Sequence, residues 1–126
     1  MRNIFKNDLY VRVSKNKFEA QNATTQGEWL SAIAEEDFTT TRLLIGNFSS
    51  AEQTLKKLIK EIMPKGLIKK SPGIVIHPTM MVEGGLSQVE ERIFIELCLG
   101  AGAHKAIIHL GNDLTCEEVI QKANSR

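Results

Sequence analysis

A chain of 126 residues can bury a core of its own but is too short for a two-lobed nucleotide hydrolase. A charged fraction of 25% and a formal net charge of +1 give no reason to expect nucleic acid or an anionic membrane as partner. Cys98 and Cys116 show neither metal spacing nor a disulfide framework, no apolar run nears the roughly 20 residues of a membrane span, and Met1 to Lys6 lacks a signal peptide's apolar centre, so a reduced cytoplasmic setting is expected.

Asp8 to Val13 alternates, with Leu9, Val11 and Val13 on one face and Tyr10 and Arg12 on the other, which predicts a strand. Ser14-Lys15-Asn16-Lys17 is a polar turn, and Phe18-Glu19-Ala20 begins a second strand. Asn22 to Gly27 is rich in turn residues, and Glu28 to Ala34 fits strand or helix equally. Thr39 to Ile45 is β-branched and apolar and is expected as the third main strand.

Ser49 and Ser50 should open a helix, because Glu52 and Gln53 stand at the matching capping-box positions. Leu55, Leu58, Ile59 and Ile62 form its apolar stripe, and Pro64 and Gly66 should end it. Ile74-Val75-Ile76 reads as a strand covered on both faces. A second helix is expected from Ser87, with Glu90 completing a capping box, to a stop near Gly100 or Gly102. Ala106 to Leu110 reads as another strand. Thr115 and Glu118 make a further capping box for a last helix through Val119, Ile120 and Ala123.

The order β-β-β-α-β-α-β-α over residues 1–126 predicts a single α/β domain with a mixed five-stranded sheet and helices on both faces. Right-handed crossovers place the fourth strand beside the first and the fifth outside it. That is the ribonuclease-H-like layout, shared by actin-like ATPase subdomains.

Four segments carry a resemblance to the MreB family of bacterial actin homologues. They are Phe5 to Ser14, Ile45-Gly46-Asn47-Phe48 with the helix to Ile62, Ser71 to Ile76, and Ser87 to Ile108 with its Gly100-Ala101-Gly102-Ala103 end. The resemblance implies one core subdomain of the nucleotide-binding lobe. On that resemblance, about Asn22 to Thr39 is expected to stand in place of the small outer subdomain, and no counterpart of the second lobe is expected.

The departures from that pattern bear on function. The family's first strand runs into an Asp-Leu-Gly-Thr phosphate loop; here those places hold Arg12, Val13, Ser14 and Lys15. Arginine reverses the charge where a divalent cation would sit, and serine removes the freedom of glycine. Gly111-Asn112-Asp113 stands in place of the family's Glu-Glu-Pro. Glu90 matches the family's water-positioning glutamate, yet its helix-capping role is the stronger reading. No nucleotide hydrolysis, no catalytic residue and no cofactor are expected.

Other chemistry gathers at the strand ends. His77 and His109 each follow a three-residue apolar run, at the carboxyl ends where open α/β sheets bind ligands. With Arg12 and Asp113 they form a candidate ligand-binding set for an anion, a small ligand or a metal. A two-metal nuclease would need more converging carboxylates than Asp8, Asp113, Glu117 and Glu118 offer. Cys98 and Cys116 read as packing residues. Lys56, Lys57 and Lys60, followed by Lys65, Lys69 and Lys70, read first as a solvated face and second as a surface for an acidic protein partner, and Met80 and Met81 as part of an inserted loop suited either to protein contact or to packing.

Two functions follow as expectations, beside a structural fragment whose role depends wholly on a partner, which an exposed sheet edge or a large apolar patch would mark. The first is a non-enzymatic MreB-like module that acts by protein contact, through self-association or with an MreB-type filament protein. The second is a small-ligand or metal-binding protein built on His77, His109 and Asp113.

Overall fold

The computed structural model describes residues 6–65 and 70–125. Gly66 and Lys69, given roles above, lie outside the described residues. Five strands, β1 (Asp8–Ser14), β2 (Lys17–Asn22), β3 (Leu30–Ile33), β4 (Gly73–Pro78) and β5 (Lys105–Ile108), form one sheet in the order β3-β2-β1-β4-β5. β1 runs antiparallel to β2 and parallel to β4; β2 and β3 are antiparallel, and β4 and β5 parallel. The sheet is therefore mixed, with β4 beside β1 and β5 outside it, the order expected from the sequence. Three helices complete the fold: α1 (Phe48–Ile62), α2 (Gln88–Gly100) and α3 (Cys116–Asn124).

The alternation in β1 separates two cores. Leu9, Val11 and Val13 pack with Phe18, Ile74 and Ile76 under Leu55, Leu58, Phe94 and Leu97 of α1 and α2. Tyr10 and Val75 point the other way, to Val119 and Ala123 of α3. Helices thus cover both faces, and every residue of β4 is buried.

Thr39 to Ile45 is not a strand. Its backbone closes on itself: Thr40 N–H donates to Leu43 O, and Gly46 and Asn47 N–H both donate to Phe38 O. Thr40 Oγ1 accepts from Leu43 N–H in turn. Phe38, Leu44 and Ile45 are apolar because they plug the core beneath α1 and α2, not because they pair in the sheet. Composition signals burial, and the threonine hydroxyls supply a local alternative to ladder bonds. The third strand is β3, which resolves the open reading of Glu28 to Ala34.

The expected capping box of α1 is also absent. Asn47 is the N-cap residue and makes no side-chain cap bond; its amide donates to Asp37 O at 3.0 Å. The Ser50 hydroxyl, already inside the helix, bonds Glu36 O. Loop contacts hold this helix start instead. The other two boxes form as expected. Ser87 and Glu90 exchange bonds at α2, Thr115 and Glu118 do so at α3, and α2 ends at Ala101 with Gly102 at φ +117°. Among the described residues no helix is long and apolar enough to cross a membrane.

Candidate functional site

Arg12 and His77 stand opposite each other at the carboxyl ends of β1 and β4. Strand alternation puts both on the α3 face, with Tyr10 one row below. His109 follows β5, and its ring meets that of His77 edge-on at 4.8 Å between centroids. Asp113 completes the group: its Oδ1 lies 3.4 Å from an Arg12 terminal nitrogen and 3.9 Å from His77 Nδ1. All four residues singled out in the sequence converge.

Their bonding limits what they can do. His77 is only 3% exposed. Its Nε2 lies 3.0 Å from Gly111 O, and a carbonyl can only accept, so Nε2 carries the proton. Nδ1 is then an acceptor, and the Tyr10 hydroxyl donates to it at 2.7 Å. The same hydroxyl accepts from Leu114 N–H at 3.2 Å. Both ring nitrogens of His77 are therefore used inside the protein. Burial holds the His77 pKa below its usual value, and the neighbouring His109 adds to this. Burial also raises the Tyr10 pKa, against the stabilising bond from Leu114 N–H. A neutral imidazole and a neutral phenol are what this network needs.

The outer part is more open. Asp113 is 65% exposed, and its contact with Arg12 is a partly solvated ion pair. The Arg12 guanidinium carbon stands 5.8 Å from the centre of the Trp29 ring, which packs edge-on against Tyr10 at 5.4 Å. Arg12 Nε is buried without a hydrogen-bond partner. His109 Nε2 donates to Asn112 O. Gly111, at φ +113°, lets the 109–114 loop fold back so that its backbone meets both His77 and Tyr10. Among the described residues no three His, Cys, Asp or Glu side chains are grouped to hold a metal ion. The arrangement can hold a loop, and it offers an anion only the Arg12 edge.

Sequence reasoning missed Tyr10 and Trp29. Alternation puts Tyr10 on the correct face, but its hydrogen-bonding partners are long-range. Cys98 is fully buried and its pKa is pushed up to about 12, as befits a packing thiol. Cys116 opens α3 with its Sγ 3.5 Å from Gln21 Oε1. Met80 is exposed, whereas Met81 packs against the larger core, so the inserted loop does both things expected of it.

No protein-family model matches the chain. Over 98 residues it is 36% identical to the uncharacterized protein YjaA of Escherichia coli (strain K12), across 74% of this chain and 75% of that protein. The chain belongs to the YjaA family. The family name carries no activity with it, so the functional argument rests on the geometry of the strand ends.

Proposed function

We propose that this chain is a non-enzymatic, actin-like module of the cytoplasm that works through protein–protein contact, with itself or with an MreB-type filament protein. The observation that carries this reading is the state of the β1–β2 turn. In the ATPases it resembles, this turn's backbone N–H groups face phosphate. Here Asn16 N–H donates to Thr39 Oγ1 at 3.0 Å, and Asn16 Oδ1 accepts from Phe38 and Thr39 N–H at 2.9 and 2.8 Å. These bonds use the turn's Asn16 inside the protein, and Arg12 at the end of β1 carries the wrong sign for a metal, which supports a reading without nucleotide chemistry. The sheet order and the helices on both faces support the ribonuclease-H-like layout without requiring its chemistry.

Light scattering on the purified chain, alone and mixed with an MreB-type protein, tests this. Co-elution or a stable homo-oligomer is expected. A monomer that ignores the filament protein would overturn the reading.

One observation favours a second function. Arg12, His77, His109 and Asp113 do converge, and the unpartnered Arg12 Nε supports a small anionic ligand there. Titration with inorganic phosphate, followed by amide NMR shifts, tests it: shifts confined to residues 109–114 and Arg12 support a ligand, and none would remove it.

A further inference from the structure

β3 is the outermost strand on its side of the sheet. Ala34 N–H donates to Asn16 O at 2.9 Å. In an antiparallel strand the backbone groups of successive residues point to alternate sides. Leu30 and Ala32 therefore turn theirs toward β2, and Ser31 and Ile33 turn theirs outward. No hydrogen-bond partner for those outward groups exists among the described residues.

Natural edge strands are commonly blunted by lysine, proline or a covering loop. β3 contains neither residue, and its Ile33 is 75% exposed, with Trp29 just ahead of it at 40%. Between this edge and α1 runs a groove of about 260 Å³, lined in part by Ala32, Gln53 and Thr54. Glu35, Glu36 and Glu61 line it as well, against Lys57 alone. Lys57 is already committed to Glu35 at 3.6 Å. An incoming strand would have alternate side chains on the groove side, among these carboxylates, and the others beside Ile33.

We infer that the β3 edge takes up an extended basic segment of a partner protein as an added strand of the sheet. The segment places lysine or arginine in the groove and β-branched apolar residues alongside Ile33. Main-chain bonds to Ser31 and Ile33 provide affinity, and the groove provides selectivity. A second copy of this chain is the wrong guest, because its own Glu35 and Glu36 flank its β3 and would meet like charge. The inference rests on the protein-contact reading above and names its surface.

The probe is a fluorescein-labelled peptide of alternating lysine and valine. Its control replaces each valine with proline, which keeps the charge but cannot pair as a strand. Two or more added main-chain bonds should make the first peptide bind at least about tenfold tighter, in fluorescence anisotropy. Amide hydrogen exchange should slow at Ser31 and Ile33. Ile33→Pro, at an edge position where proline is tolerated, should remove that advantage. The double variant Glu35→Lys with Glu36→Lys should weaken both peptides while leaving the circular dichroism spectrum unchanged. Equal binding of the two peptides, no binding, or a homodimer that Ile33→Pro dissolves would each overturn the inference. If a filament protein co-elutes with the chain and neither Ile33→Pro nor the peptide disturbs it, the protein-contact reading stands and the β3 edge is not its surface.

Discussion

Tyr10→Phe isolates the central bond of the strand-end cluster. The substitution removes one oxygen and keeps the ring, so the edge contact with Trp29 and the stacking on His77 at 5.9 Å survive. The hydroxyl makes two bonds, to His77 Nδ1 at 2.7 Å and from Leu114 N–H at 3.2 Å. His77 Nδ1 is buried and would be left without a donor, at a cost of about 1–3 kcal/mol. Leu114 lies half-buried at the loop, where water can replace the lost acceptor, so its share is small. The expected destabilisation is about 2 kcal/mol, a large part of the roughly 5–15 kcal/mol that holds a domain folded. Urea denaturation followed by circular dichroism measures it. The midpoint should fall by about 1 M with an unchanged slope, given slopes of about 1–3 kcal/mol per molar for small proteins. A loss below about 0.5 kcal/mol would refute the argument, because it would mean that His77 finds another partner or does not need one.

Three more outcomes follow from the same structure. Stability should decline in acid through His77: its folded pKa is lowered by burial, so the unfolded state binds more protons once the pH drops below about 6.5. The loss should begin there, continue as the pH falls through the lowered folded value, and be absent in His77→Gln, as read by urea midpoints against pH. Ser87→Ala should cost about 1 kcal/mol in the same denaturation assay, because it removes the hydroxyl that accepts from Glu90 N–H at 3.2 Å. Gly46→Ala and Gly100→Ala should differ in thermal melts. A Cβ at Gly46 would overlap the Thr40 side chain, held by its bonds to Leu43, and should destabilise; at Gly100 it meets only the flexible end of Glu52 and should be close to neutral.

Much of the fold was legible because its signals are local. The alternation of Asp8 to Val13 gives both the strand and the division of its residues between two cores. Ser87 with Glu90 and Thr115 with Glu118 mark two helix starts through bonds that span only three residues. The failures share a cause. Thr39 to Ile45 is as apolar as a strand, yet it closes through bonds between its own threonines and backbone, and its apolar residues fill space under α1 and α2. Hydrophobicity records that a segment is buried; it does not record what its backbone pairs with. The start of α1 misled for a related reason. Two serines and two acceptors were in the right places, but Asn47 was already fixed by Phe38 O, which moved the helix start ahead of both serines.

The strand-end cluster divides in the same way. That His77 and His109 lie together follows from each ending an apolar run on neighbouring parallel strands, and the 4.8 Å between their rings bears this out. Whether such a pair is open to a ligand depends on bonds that no spacing reveals. The partners of His77 are a side chain 67 positions earlier and a carbonyl 34 positions later. Leu114 N–H completes the closure from 104 positions beyond Tyr10. Those bonds make His77 part of a clasp for the 109–114 loop. A polar residue at a strand end thus has two fates, and burial separates them: His77 at 3% exposure is spent on the fold, whereas Asp113 at 65% still faces water. The chemistry left for a partner lies where backbone or charge is unspent, at the Arg12 edge and along β3.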